Sequence, residues 1–240
     1  MQLRGEEYVL EVNGQQIKTW TWGSGKAILL VHGWNGHGLQ FTRFIDPLLN
    51  AGYQVISFDA PAHGQSTGHR THLLEIRDVI LAVAERHGPI HAAIAHSFGV
   101  ACLSAAINAG LSVACITAIS SPGGLSNLIQ RYCQYMQIPP ATEEKLRQRL
   151  SRRLGQTLWE QFAESYPITA DVSRSLIIHD KEDRLVNWQE SERLAEQWPN
   201  AERLYTEGLG HQRILFDRTT IQQIADFIDN TVVCDSLENT

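Results

Sequence analysis

Ile94-Ala95-His96-Ser97-Phe98-Gly99-Val100 is the stretch that decides the fold, because an apolar run ends abruptly at a serine and a helical pattern begins at once. A serine hydroxyl becomes a useful nucleophile when its oxygen is held clear of the backbone, beside a base and beside N–H donors. A sharp strand-to-helix turn provides this arrangement and favours small residues two positions either side of the serine, in the pattern G-x-S-x-G. Gly99 fits that pattern, whereas Ala95 adds one methyl group. The stretch therefore predicts a nucleophile elbow at Ser97.

Strands and helices alternate on both sides of this elbow. The chain begins with two alternating segments, 7–12 and 15–22, joined by Asn13-Gly14, a pair typical of a two-residue hairpin turn. Further strands are predicted at 27–31, 54–58, 90–95, 112–119, 176–180 and 201–205, and helices at 39–51, 73–85, 100–109, 188–197 and 218–232. This order predicts one α/β domain over residues 1–240, with a mostly parallel central sheet, helices on both faces and an N-terminal β-hairpin.

The alternation stops between residues 122 and 172, where about fifty residues contain no strand pattern. Three short amphipathic helices are predicted there, at 125–136, 142–154 and 156–165. Because the insertion follows the strand after the elbow helix, we expect it to cover the carboxyl edge of the sheet as a small helical lid. Four of its side chains either line an apolar substrate pocket or pin the lid to the body: Tyr132, Met136, Trp159 and Phe162. Its arginines either bind an anionic substrate or partner or form a solvated helix face: Arg147, Arg149, Arg152 and Arg153.

Composition and charge exclude several classes of function. The chain has 240 residues, 43% of them hydrophobic, and a formal net charge of −6, so nothing favours binding to nucleic acid or to an anionic membrane surface. Met1–Leu10 lacks the apolar segment of a secretory signal, which predicts a cytoplasmic protein. The most apolar region, 92–119, is interrupted by polar residues and does not predict a membrane span.

No cofactor or metal site is predicted. The four cysteines, Cys102, Cys115, Cys133 and Cys234, have no C-x-x-C spacing and no clustering with histidines, so buried thiols are expected rather than a zinc or redox site. The glycines near Gly33 form neither a dinucleotide fingerprint nor a phosphate-binding loop with lysine. A serine nucleophile needs no cofactor.

Three strand-exit loops each offer one group suited to acyl transfer, in the order Ser97, Asp183, His211, which is the order that this strand–helix arrangement uses. The whole chain resembles the α/β-hydrolase superfamily in five stretches: His32-Gly33-Trp34, Asp59-Ala60-Pro61-Ala62-His63-Gly64-Gln65-Ser66, Ala95-His96-Ser97-Phe98-Gly99, His179-Asp180-Lys181-Glu182-Asp183-Arg184-Leu185-Val186 and Gly208-Leu209-Gly210-His211. The resemblance implies the α/β-hydrolase fold.

The resemblance and the chemistry together assign roles to these residues. His211 takes the Ser97 proton during attack and returns it to the leaving group, while Asp183 orients His211. Asp180, at the end of the same strand, is the alternative acid. The expected oxyanion donors are the backbone N–H groups of Phe98 and Trp34, and the Trp34 indole is expected to wall the substrate pocket.

The resulting functional hypothesis is a cytoplasmic serine hydrolase that cleaves a small-molecule carboxylic ester or thioester through an acyl-enzyme. The alternatives are a non-catalytic small-molecule binding protein on the same fold, or an amidase, peptidase or C–C bond hydrolase with the same apparatus. A serine at the elbow argues against dehalogenase or epoxide hydrolase chemistry, for which the resemblance implies an aspartate. The other nine of the ten histidines are expected to be structural or exposed, with His96 and His179 facing away from the reacting groups or supporting loops.

Overall fold

The computed structural model describes residues 5–170, 172–198 and 200–237. Within this part of the chain, eight strands form one sheet: β1 (Glu6–Val12), β2 (Gln15–Trp22), β3 (Ala27–Val31), β4 (Gln54–Phe58), β5 (Ile90–His96), β6 (Cys115–Ile119), β7 (Arg174–Asp180) and β8 (Ala201–Thr206). Their order across the sheet is β1-β2-β4-β3-β5-β6-β7-β8. Only β1–β2 and β2–β4 pair antiparallel, which confirms the predicted hairpin and mostly parallel sheet.

Helices connect the strands and cover both faces of the sheet. They are α1 (Thr42–Asn50), α2 (Leu73–His87), α3 (Phe98–Asn108), α4 (Leu125–Tyr135), α5 (Pro140–Leu154), α6 (Gln156–Phe162), α7 (Trp188–Ala195), α8 (Gly210–Arg213) and α9 (Arg218–Leu237). Side chains of α2, α3 and α7 form one buried cluster with the sheet, and side chains of α1 and α9 form the other. The helices on both faces confirm the predicted layers, and the parallel strands end together at one edge.

The insertion is anchored to the body by its return segment. The three predicted helices are present as α4, α5 and α6, and the segment after them runs back along α3. The Pro167 carbonyl accepts hydrogen bonds from Ser104 Oγ at 2.8 Å and Asn108 Nδ2 at 2.9 Å, and the Tyr166 carbonyl accepts one from Trp198 Nε1 at 2.8 Å. In contrast, α5 buries none of its side chains. That the insertion acts as a lid stays a prediction.

Several boundaries differ from the sequence predictions. The helix after Ser97 starts at Phe98 rather than Val100, because the turn at the serine is tight enough for the next residue to be helical. The loop that leads to His211 ends in the short helix α8, which the sequence did not predict. Parts of three predictions fall outside the described residues: the start of Met1–Leu10, Asp171 in the insertion, and the side chain of Cys234. The other three cysteines are buried and form no disulfide.

Candidate active site

The Ser97 elbow is the sharp strand-to-helix turn that the sequence predicts, and its backbone is strained. Ser97 lies between β5 and α3 with φ 53° and ψ −126°, a region that non-glycine residues rarely occupy. Its N–H donates to the Ile119 carbonyl at 2.9 Å, and its own carbonyl accepts from the Val100 N–H at 3.0 Å. These two bonds hold the backbone, while the side chain is partly exposed at the carboxyl edge of the sheet.

Glycines around the elbow allow the backbone segments to approach closely. A Cβ at Gly99 would lie 2.6 Å from the carbonyl oxygens of Val31 and His32, and one at Gly33 would lie 2.9 Å from both the His96 carbonyl oxygen and Ser97 Cβ. Ala95, the departure from the G-x-S-x-G pattern, is fully buried in β5. The elbow therefore requires glycine two residues after the serine, at Gly99, but accommodates a methyl group two residues before it, at Ala95.

Three side chains from three strand ends form one chain of hydrogen bonds. His211 Nε2 lies 3.1 Å from Ser97 Oγ, and His211 Nδ1 lies 2.6 Å from Asp183 Oδ2. Because Nδ1 faces a carboxylate oxygen, it carries the ring proton, which leaves Nε2 able to accept the Ser97 hydroxyl proton. The structure thus brings together the serine, histidine and acid named from the sequence.

Asp183 is held by four donors. Its Oδ1 accepts the N–H groups of Leu185 at 2.8 Å and Val186 at 2.9 Å, while its Oδ2 accepts from His211 and also from His179 Nε2 at 3.1 Å. Burial by itself would raise the pKa of Asp183, but the hydrogen bonds from the two histidines and from Val186, with the charge of His211, hold that pKa well below its usual range. Asp183 therefore remains an anion beside the imidazole.

Asp180 contacts the backbone that carries the histidine rather than the histidine ring. It is fully buried, and it accepts hydrogen bonds from the Glu182 N–H at 3.0 Å, Thr206 Oγ1 at 2.8 Å and the Leu209 N–H at 2.9 Å. Burial opposes its charge, but hydrogen bonds from Gly210, Leu209 and Thr206 lower the pKa of Asp180 overall. This carboxylate anchors the loop before α8, which explains why that loop is ordered into a helical turn.

The two expected oxyanion donors lie beside the elbow. Phe98 is the first residue of α3, where backbone N–H groups and the helix dipole favour negative charge. Among the described residues, neither the Phe98 N–H nor the Trp34 N–H is used in a hydrogen bond. The half-exposed Trp34 indole packs edge-on against Phe98, with ring centroids 5.7 Å apart, and against His63 at 5.4 Å.

The histidines after β3 and β4 bond to backbone on both ring nitrogens. His32 Nε2 accepts the Ala60 N–H at 2.8 Å and its Nδ1 donates to the Gly33 carbonyl at 2.8 Å. His63 repeats this arrangement with the Asn35 N–H at 3.2 Å and the Pro61 carbonyl at 2.9 Å. Burial lowers the pKa of His32 to about 4, so its ring stays neutral.

His96 and His179 each form a hydrogen bond to one residue of the site: His96 to His211 and His179 to Asp183. His96 Nε2 donates to the His211 backbone carbonyl at 3.0 Å, and burial together with the charge of His211 lowers the pKa of His96 to about 3. His179 bonds directly to Asp183, a contact that sequence reasoning missed beyond a general role in supporting loops. Its spacing of four residues from the acid was the available signal, but strand and loop geometry decide whether two such side chains meet.

The predicted pocket residues of the insertion are spread over different environments. Phe162 is fully buried beside Tyr166 in the core, which is the second of the two roles predicted for it: it pins the insertion to the body rather than lining an open pocket. Trp159 also packs against that core, whereas Tyr132 on α4 and Met136 just after it are half-exposed. Of the four arginines named in the insertion, Arg147 pairs with Glu143 at 2.6 Å and ties α5 to α4.

A cleft that the sequence did not predict opens beside His211. Its volume is about 390 Å³, and its walls come from the loops after β7 and β8, at residues 182, 184–185 and 209–213. Both loops were identified from the sequence because they carry Asp183 and His211. The residues next to these two in the chain were therefore the available signal for the cleft. Among the described residues there is no cluster of potential metal ligands, and none of the helices they form has the length and apolar character needed to cross a membrane.

Comparison with known proteins places this fold. A family model described as "Alpha/beta hydrolase family" matches residues 28–226. The curated proteins include no match to the chain. Among solved structures, mouse alpha/beta hydrolase domain-containing protein 10 is 18% identical, with a TM-score of 0.72 over 97% of this chain and 99% of that one.

Two further solved structures carry different activities in their names. A Pyrococcus furiosus esterase is 19% identical, with a TM-score of 0.69 over 95% of this chain and 93% of its own. A Bacillus anthracis bromoperoxidase is 14% identical, with a TM-score of 0.71 over 93% of this chain and 99% of its own. At these identities the likeness shows the fold, and the choice of activity depends on the residues of the site.

Proposed function

The chain belongs to the alpha/beta hydrolase family, and we propose that it is a serine hydrolase that cleaves a carboxylic ester or thioester through an acyl-enzyme. The observation that carries the proposal is the continuous hydrogen-bond chain from Ser97 Oγ through His211 to Asp183 Oδ2, with steps of 3.1 and 2.6 Å. The strained backbone of Ser97 supports it, because strain of this kind persists where a side chain must be presented in one direction.

The first half of the reaction forms the acyl-enzyme. Ser97 Oγ attacks the carbonyl carbon of the substrate while His211 Nε2 takes the hydroxyl proton. The carbonyl oxygen becomes an oxyanion, which accepts hydrogen bonds from the N–H groups of Phe98 and Trp34. When the tetrahedral intermediate collapses, the bond to the leaving alcohol or thiol breaks and His211 returns the proton to it.

The second half restores the serine. A water molecule gives its proton to His211 and attacks the acyl carbon, and the same two N–H groups stabilise the new oxyanion. Collapse breaks the bond to Ser97 Oγ, which regains its proton from His211, and the carboxylic acid is released. Asp183, kept ionised by its four donors, stabilises the imidazolium in both halves.

The cleft beside His211 is the candidate site for the leaving group. His211 must protonate the leaving oxygen or sulfur, and this residue forms part of the cleft wall. The exposed Leu185 provides an apolar contact there, and Arg184 and Arg213 provide positive charge. A volume of about 390 Å³ fits a small alcohol or thiol portion of the substrate.

The cytoplasmic location predicted from the sequence stays a prediction.

A fluorophosphonate probe tests the class of protein. The wild-type chain is expected to be labelled covalently, and Ser97→Ala to abolish labelling without unfolding the protein. A non-catalytic binding protein would bind acyl compounds without labelling, which would contradict the proposal. Turnover of p-nitrophenyl esters, acyl thioesters and matched amides of graded chain length then distinguishes an esterase or thioesterase from an amidase.

A further inference from the structure

Asp183 shares one carboxylate oxygen between two imidazoles. His211 Nδ1 and His179 Nε2 both approach Oδ2, at 2.6 and 3.1 Å. We propose that His179 is a positioning residue, which donates to Oδ2 and thereby directs this oxygen toward His211. The inference rests on the proposed function, because it concerns the acid of the same site.

The surroundings of His179 fix its protonation. Its Nε2 faces two acceptors, Asp183 Oδ2 and the Val186 carbonyl at 3.2 Å, so Nε2 carries the proton. Its Nδ1 lies 2.6 Å from Ser191 Oγ, and a neutral ring accepts the Ser191 hydroxyl proton there. Each ring nitrogen therefore has a partner of the right kind. The side chains of His179 and Ser191 are both fully buried.

This arrangement fixes the loop after β7, which carries Asp183, as well as the carboxylate itself. Val186 donates its N–H to Asp183 Oδ1 and accepts from His179 through its carbonyl, so the loop closes around the imidazole. The N–H groups of Leu185 and Val186 fix only Oδ1. Without His179, rotation of the carboxylate about that oxygen would move Oδ2 away from His211. His179 supplies the restraint that the two backbone donors lack.

Ser191 extends the restraint to α7. This serine lies in the middle of α7, and its hydroxyl reaches a histidine on β7. The position of His211 is thus connected to a packed helix through Asp183, His179 and Ser191. A displacement of about 1 Å in such a group can lower turnover about 100-fold. Removing a restraint on the acid is therefore expected to lower turnover measurably.

Three substitutions at one position separate a donor from a space-filling side chain. The Gln amide reaches the position of Nε2 and can still donate to Asp183, whereas the shorter Asn amide reaches only the position of Nδ1 and Leu has no donor. His179→Leu and His179→Asn are expected to lower kcat roughly 10- to 100-fold with KM nearly unchanged, and His179→Gln to retain kcat within a few-fold. Each kcat is measured per active site titrated with a fluorophosphonate probe, so that a smaller fraction of folded protein does not lower the measured kcat.

The outcomes are decisive in both directions. If His179→Leu fails to fold, the comparison of Asn with Gln carries the test, since both are polar amides. Equal kcat values for Asn and Gln per titrated site, or a wild-type kcat for Asn or Leu, would overturn the positioning role while leaving the hydrolase proposal intact. A wild-type protein that neither labels at Ser97 nor turns over any acyl substrate would end both proposals.

Discussion

The two sides of Ser97 use histidine and aspartate side chains in different ways. On the β3–β4 side, formed by the loops 32–38 and 59–66, both ring nitrogens of His32 and of His63 bond to backbone groups. Asp59 likewise accepts the N–H groups of Gly38 at 2.7 Å and Gln65 at 2.6 Å. On this side, the hydrogen bonds of the histidine and aspartate side chains therefore fix the two loops.

On the β7–β8 side, formed by the loops 181–187 and 207–210, side chains bond to side chains. His211 contacts Ser97 with one nitrogen and Asp183 with the other, and His179 bonds to Asp183 and Ser191. Asp180 resembles the other side, since it anchors mainly backbone, and Asp183 also accepts two backbone N–H groups on Oδ1. In the mechanism proposed above, His211 moves the proton because its ring bonds to Ser97, whereas the other rings hold loops or Asp183 in place.

The largest expected effect tests this difference directly. We expect His211→Gln to lower kcat/KM by about 10⁴-fold or more, because the base for Ser97 is lost. The matched substitution His63→Gln, on the β3–β4 side, is expected to cost less than about tenfold, because its ring nitrogens bond to backbone groups at Asn35 and Pro61 and not to Ser97 or Asp183. Steady-state kinetics with a p-nitrophenyl ester measures both. Similar losses in the two variants would remove the distinction between the sides.

A second pair of substitutions sharpens the comparison within the β7–β8 side. Asp183→Asn is expected to reduce kcat about 10³- to 10⁴-fold, because the ring loses its carboxylate and the correct tautomer. Asp180→Asn is expected to lower the free energy of unfolding by about 1–3 kcal/mol with a much smaller loss of kcat, since Asp180 fixes the backbone around Leu209. Kinetics and urea unfolding on each variant separate the two roles. If Asp180→Asn abolishes turnover and Asp183→Asn does not, the acid assignment is reversed.

The buried neutral rings predict a dependence of stability on pH. The folded protein holds the pKa of His32 at about 4 and that of His96 at about 3, whereas an unfolded chain binds protons with a pKa of about 6.5. Below pH 6.5 the unfolded state therefore binds more protons, and each ring lowers the free energy of unfolding by about 1.4 kcal/mol per pH unit, down to its folded pKa.

Urea unfolding at pH 7.0, 6.0 and 5.0 measures that slope. Asp183 adds nothing in this range, because its lowered pKa affects stability only as the pH falls below about 4. His96→Gln is expected to reduce the slope by the contribution of one ring. A wild-type stability that does not fall between pH 6.5 and 5 would contradict the neutral state of these rings.

The smallest expected effect concerns the backbone contact between the β3–β4 side and Ser97. A methyl group in Gly33→Ala would meet the His96 carbonyl oxygen and Ser97 Cβ at 2.9 Å, so the segment that carries Trp34 must shift. We expect kcat to fall about tenfold, because the Trp34 N–H moves away from the oxyanion. Ala95→Gly removes a methyl group on the other side of the elbow and is expected to change kcat less than about threefold. Equal kcat values for the two variants would show that the approach of Gly33 is not needed.

Much of the fold was predictable from local patterns. The hairpin at Asn13-Gly14, where both residues have positive φ, and the strands β3 and β4 appear at the residues that the sequence predicts. Alternation of strands with helices predicted the parallel sheet, and a parallel sheet places the ends of its strands at one edge. Those two facts suffice to expect Ser97, Asp183 and His211 near one another.

The sequence left open what depends on the direction of individual side chains. Asp180 ends β7 and Asp183 follows three residues later in the next loop. The turn between them, closed by the Asp183 N–H on the Asp180 carbonyl, directs one toward the backbone and the other toward His211. Phe162 has the spacing of a pocket or of a core residue, and packing of the return segment places it in the core.

The amino-acid sequence by itself determined the layers of the protein and which loops meet, because hydrophobic periodicity and turn residues act over a few positions. Only the tertiary structure decided which nitrogen faces which oxygen, and so which histidines fix loops and which one faces Ser97. Hydrogen bonds depend on fractions of an ångström and on angle, and those are set by packing between residues that are far apart in the chain.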